Sequence, residues 1–243
     1  MTATSIVSEK TYGMRLHNCF TILAVIRLAP DFETDQVELM PTNFASFLVE
    51  VANSNKARTI AEQEYSTAVA ERRDFFAKNE NSIHATAIAV KVAVLARYGK
   101  DSRQYKTISS IVKKMSYQKP AVKTKPDSEN PDNTISTYIS RSQRSYGSIT
   151  ENFSDLITVL VSFQNYDNPR QELKLPALQA QVLAAQQHNI NTDATHFNYK
   201  KAQTLRQENY AILSERANKI KALLLSIYGK KSPIYKQVAD LSI

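Results

Sequence analysis

Two nonapeptides constrain this chain more than any bulk property. Tyr98-Gly99-Lys100-Asp101-Ser102-Arg103-Gln104-Tyr105-Lys106 returns 130 positions later as Tyr228-Gly229-Lys230-Lys231-Ser232-Pro233-Ile234-Tyr235-Lys236, and the shared pattern is Tyr-Gly-Lys-x-Ser-x-x-Tyr-Lys. Each copy follows an apolar run, 90–95 in one case and 223–227 in the other. The pattern reads as a helix stop followed by a helix start. Glycine reaches the left-handed conformation that closes a helix, and a lysine beside it suits the carbonyl end of the dipole. Ser102 and Ser232 then stand where an N-cap is needed for a short helix carrying Tyr105 or Tyr235. Tyr98, Gly99, Ser102 and Tyr105, with Tyr228, Gly229, Ser232 and Tyr235, are thus expected as structural corners.

The repetition spreads outward from the corners. Tyr12-Gly13 matches Tyr146-Gly147, so the four glycines of the chain form repeated Tyr-Gly pairs. Residues 17–26 lie over 151–160, residues 38–41 over 172–176 with one insertion, and 71–77 over 205–211. A unit this long exceeds solenoid periods and implies a tandem duplication. The expected division is a first helical repeat at 1–113, a polar basic linker at 114–141 and a second repeat at 142–243.

Glycine scarcity, absent tryptophan and long stretches rich in Ala, Leu, Gln, Lys and Glu favour helix over sheet. The expected fold is all-α, a bundle built from two copies of a three-helix unit. Helix A covers 14–28 and 148–163. Helix B starts at Pro41 or Pro176 and ends near the breaks at 53–55 and 189–192. Helix C is long, covering 193–228 in the second copy. Its seam Leu213, Ala217, Ile220, Leu224, Tyr228 superposes on Ile83, Ala87, Val90, Val94, Tyr98 and keeps to one helix face. The first copy carries four extra residues before that seam, and 78–82 reads either as one extra helical turn or, because Asn and Ser are weak helix formers, as a break capped by Ser82. The two repeats are expected to join in one bundle about a pseudo-two-fold axis, as a self-complementary patch allows.

Chemistry is sparse. His17, His84, His188 and His196 never follow a glutamate by three residues, so the di-iron pattern of helical bundles is missing. Asp193-x-x-His196 stands alone as a metal spacing. Gly99-Lys100-Asp101-Ser102 and Gly229-Lys230-Lys231-Ser232 lack the preceding strand and second glycine of a phosphate loop. Cys19 and His17 sit two apart on one helix, on different faces. No catalytic residue, metal or cofactor is assigned, and a non-enzymatic reading follows. No apolar run is long enough to span a bilayer, no secretory signal is evident, and the lone Cys19 reads as a buried hydrophobe, so a cytoplasmic protein is expected.

Charge supplies the functional signal. The chain carries a formal +8, and eleven basic residues against four acidic ones fall in 97–147, leaving the rest nearly neutral. Lys113, Lys114, Lys119, Lys123, Lys125, Arg141 and Arg144 are the candidate polyanion contacts, with Tyr117 available for stacking. The first expectation is a non-enzymatic structural or interaction protein that binds an unidentified protein partner; the alternative is a nucleic-acid or polyanion binder using the basic segment 97–147, and a small-ligand site between the repeats is the third. The corner pattern also resembles the aromatic-Gly-Lys-(Asp/Asn)-Ser-x-x-Tyr ending of uncharacterised bacterial all-helical proteins, although Lys231 departs from it. That resemblance implies a helical fold and a bacterial source, and brings no activity.

Overall fold

The computed structural model describes residues 9–116, 121–126, 134–139, 145–164 and 166–243. Its helices are α1 (Glu9–Leu28), α2 (Pro41–Arg73), α3 (Ile83–Tyr98), α4 (Arg103–Met115), α5 (Tyr146–Val161), α6 (Leu175–Tyr228) and α7 (Pro233–Ala239). Single turns of 3-10 helix at Val37–Leu39 and Gln171–Leu173 lead into α2 and α6. Among the described residues the fold is all-helical except for one antiparallel strand pair, β1 (Ala121–Pro126) with β2 (Thr134–Ile139).

Both corners form where the glycines stand. Gly99 and Gly229 have φ of 82° and 78°, and their N–H groups donate to Leu95 and Leu225 carbonyls, each at 2.9 Å. At Gly99 ψ is 163°, so the turn is extended rather than helical left-handed. Ser102 Oγ accepts from the Tyr105 N–H at 3.1 Å and Ser232 Oγ from the Ile234 N–H at 3.2 Å, starting α4 and α7. The break at 78–82 is also present. The π-helical turn Asp74–Lys78 follows α2 directly, and Ser82 Oγ accepts from the Ala85 N–H at 3.3 Å. A π-turn holds more residues per turn than an α-turn, which lets inserted residues be taken up without reversing the chain.

Two expected breaks are not there. The helix does not stop at 53–55 or at 189–192: α2 runs on to Arg73 and α6 is unbroken over 54 residues. The polar side chains that suggested caps bond inside the helix instead. Ser54 Oγ donates to the Val51 carbonyl at 2.7 Å, and Thr192 Oγ1 to the His188 carbonyl at 2.8 Å. Such back-bonding satisfies a hydroxyl without ending a helix. In the second half helices B and C are therefore one element, while in the first half α2 runs through the expected B–C break and the seam helix α3 starts only after the π-turn, so a repeated three-helix unit is not observed. The linker expected at 114–141 also needs correcting, since Met115 is a buried residue of α4 and the backbone beyond it pairs as a hairpin.

The chain divides into two compact units, and they cut across the halves 1–113 and 142–243. One unit comprises the described residues up to Glu64 together with 196–243; the other is 65–195. In the first unit, Cys19, Ile22 and Ile26 of α1 and Phe44, Leu48 and Val51 of α2 pack with Leu213, Ile220 and Leu224 of α6 and Val238 of α7. In the second, Phe153, Leu156 and Leu160 of α5 and Leu178 of α6 pack with Ile83, Val90 and Val94 of α3 and Ile108, Val112 and Met115 of α4. Each core thus takes its first two helical segments from one half of the sequence and its last two from the other. There are two cores, and each draws apolar side chains from both halves of the sequence. Both seams are sealed: Leu213, Ala217, Ile220 and Leu224, like Ile83, Ala87, Val90 and Val94, are 0 % exposed. Burying a leucine-sized side chain is worth about 1.5–3 kcal/mol, so each seam weighs heavily in its own unit.

Candidate polyanion interface

In the second unit α4 turns one side inward and the other to solvent. Ile108, Ile111, Val112 and Met115 are buried in the core, while Arg103, Lys106, Ser110, Lys113 and Lys114 are exposed. Positions 103, 106, 107, 110 and 114 follow helical spacing, so Arg103, Lys106 and Lys114 share a face with the hydroxyls of Thr107 and Ser110. They border an open groove of about 600 Å³ whose lining is completed by Asp101 and Ile111. Asp101 is the one carboxylate in that lining. A row of cations with hydroxyl donors between them is suited to bonding phosphate or sulfate oxygens. Lys100, at the corner leading into α4, is exposed as well.

The seven candidate contacts separate by position. Lys113 and Lys114 lie on α4, and Lys123 and Lys125 lie on β1, paired in register with Thr137 and Ile135. Lys119, Arg141 and Arg144, with Tyr117, fall outside the described residues. Arg97 is already committed: its guanidinium donates to the Asp167 carbonyl at 3.1 Å and lies 5.9 Å from the Tyr98 ring. Arg103 and Lys106 join the groove, though charge counting alone did not separate them from their neighbours. Their spacing from Lys113 and Lys114 on one helix was the available signal.

The corner tyrosines are structural pins. Tyr98 donates its hydroxyl to the Gln164 carbonyl at 3.3 Å and meets Phe163 edge-on at 5.6 Å. Tyr228 accepts from the Asp31 N–H at 3.2 Å. Tyr105 and Tyr235 are partly buried against the cores of their units.

A second pair of tyrosines carries more of the polar interior than the sequence suggested. In the first unit the Arg206 guanidinium stacks 4.4 Å from the Tyr12 ring, and Tyr210 meets that ring edge-on at 4.5 Å. The Tyr210 hydroxyl donates to the Tyr12 carbonyl at 3.0 Å and accepts from Asn55 Nδ2 at 2.9 Å. Arg15 donates to the Tyr210 carbonyl at 3.1 Å and to Ser214 Oγ. In the second unit Arg72 lies 4.3 Å from the Tyr146 ring, and Phe76 meets it edge-on at 4.9 Å. Desolvated cation–π contacts of this kind contribute about 2 kcal/mol. The signal was an Arg four residues before an aromatic in each half of the sequence, Arg72–Phe76 and Arg206–Tyr210.

Burial raises the Tyr210 phenol, against smaller opposing effects from Asn55, Arg15 and Arg206. Burial likewise pushes the Cys19 thiol up to about 12, keeping it a neutral hydrophobe inside α1. Among the described residues no three His, Cys, Asp or Glu side chains cluster as metal ligands, and no helix is long and apolar enough to cross a membrane. His188 packs its ring 4.6 Å from Phe75. Set against protein-family models, curated proteins and solved structures, the chain has no significant match.

Proposed function

We propose that this protein works by binding rather than by catalysis, and that the outward face of α4 is its contact for a polyanion such as a nucleic-acid backbone. The observation that carries the reading is the exposed set Arg103, Lys106, Lys113 and Lys114 on one 13-residue helix, with Thr107 and Ser110 in the same groove. In the chain, α4 is followed by the strand β1, whose sequence includes Lys123 and Lys125. The test is binding to single- and double-stranded oligonucleotides and to heparin across a salt series. The variant is Arg103→Gln, Lys106→Gln, Lys113→Gln and Lys114→Gln combined. Each neutralised duplex phosphate contributes about −0.9 to the slope of log affinity against log salt, so the variant should flatten that slope by about three to four. No binding by the unaltered protein at low salt, or an unaltered slope in the variant, would sink the reading.

A protein partner is the second reading, and one observation favours it. Ile88 and Val92 of α3 are 44 % and 56 % exposed and sit one turn apart, with Leu95 a turn further on at 36 %. Failure of the salt-series experiment would move attention to that face.

We also infer that the two halves are copies of one ancestral unit. What supports this is that matched positions do matched work. Tyr12 with Arg206 and Tyr146 with Arg72 form the same stacked pair, and the buried Asn18 and Asn152 occupy matched places in α1 and α5. On this reading the ending shared with uncharacterised bacterial helical proteins is a corner and not a site.

A further inference from the structure

Each core is incomplete within its own half of the sequence. The α1 side chains Cys19, Ile22 and Ile26, and the α2 side chains Phe44 and Leu48, are sealed by Leu213, Ile220, Leu224 and Val238, which come from beyond the hairpin. Reciprocally, Ile83, Val90 and Val94 of α3, and Ile108 and Val112 of α4, are sealed by Phe153, Leu156 and Leu160 of α5 and by Leu178 of α6.

The polar contacts repeat the pattern. Tyr210 bonds Tyr12 and Asn55, Asn18 Nδ2 donates to the Ser242 carbonyl at 2.8 Å, and Gln181 Nε2 donates to the Asn81 carbonyl at 2.8 Å. Every one of these joins a residue before the hairpin to a residue after it. We propose that the surfaces by which the two halves meet form a complete protein–protein interface, and that the partner each half fits is the other half, with no covalent connection required. The segment after Met115 then serves to keep the two at high effective concentration and does not itself hold them. The two cores require this pairing of halves whether or not the halves share an ancestor.

The experiment cuts the folded full-length protein. A protease site replaces residues 117–120, ahead of β1, so that both hairpin strands stay on the second fragment. The uncut variant must first match the unaltered protein in far-ultraviolet circular dichroism and elution volume. After cutting, both fragments should co-elute at the volume of the intact chain, with helical signal retained, at protein concentrations down to the micromolar range. They should part only on denaturation. A companion variant, Ile22→Asp with Leu156→Asp, places a charge in each core and should release the fragments after the same cut. Separation of the fragments from the otherwise unaltered protein, whether folded or unfolded, would overturn the proposal.

Discussion

Two of the four glycines have positive φ and two lie in helices, although all four follow a tyrosine. An added Cβ meets nothing within 4 Å at any of them, so local space does not decide the outcome. Backbone angle does. Gly99 at φ 82° and ψ 163° occupies a region nearly closed to other residues, and Gly229 at φ 78° is similarly committed. Gly99→Ala or Gly229→Ala should therefore destabilise by about 1–3 kcal/mol. Gly13 and Gly147 lie inside α1 and α5. There alanine removes the entropic cost of a flexible residue, so Gly13→Ala should stabilise by about 0.5–1 kcal/mol and Gly147→Ala, in the first turn of α5, by less. Thermal melts of the four single variants check this. Four shifts of one sign would show that the Tyr-Gly pairs share a role that backbone geometry does not reveal.

At the scale of elements, the contrast is between α6, which is unbroken, and its first-half counterpart, which divides at the π-turn Asp74–Lys78 and the cap at Ser82. The apolar seams on either side agree, and four extra residues account for the difference. Deleting residues 78–81 should place Ser82 where Ile212 stands in α6 and join α2 to α3. Such a deletion gives up the hydrogen bond from Gln181 to the Asn81 carbonyl, which lies at the exposed surface. The expected result is a folded protein with helical signal at 222 nm no lower than before. A loss of cooperative melting would show that the π-turn is needed to hold Phe76, which is 1 % exposed in the core.

Sequence reading located that break and both glycine corners because glycine, serine and asparagine act locally. It misplaced breaks at 53–55 and 189–192 because the same local signals are overridden where Ser54 and Thr192 are buried and bonded within the helix. The α4 face was half legible: the charge cluster was plain, but only the buried side of α4 shows which cations share an outward face.

For the molecule as a whole, helical periodicity says which face is apolar and leaves open which face it meets. When Leu213, Ala217, Ile220, Leu224 and Ile83, Ala87, Val90, Val94 present the same pattern, α1 could be sealed by either seam. Chain neighbours are one choice of partner, and the cores pair each half with the other. The consequence is a mutation whose damage skips its own half. Ile220 is fully buried among α1, α2 and α7 residues of the first unit. Ile220→Ala should cost about 2–5 kcal/mol there. Because opening free energies follow cooperative packing units, amide exchange should accelerate in 12–28, 41–64, 200–228 and 233–239. Residues 83–98, 103–115 and 146–161 should keep their protection, although the last of these lies in the same half of the sequence as Ile220. Val90→Ala should give the mirror result, loosening α5 while sparing α1. Exchange read by mass spectrometry on peptides separates the outcomes. Deprotection of α5 by Ile220→Ala, with α1 untouched, would return the assignment to consecutive halves and remove the basis for expecting the cut fragments to stay together.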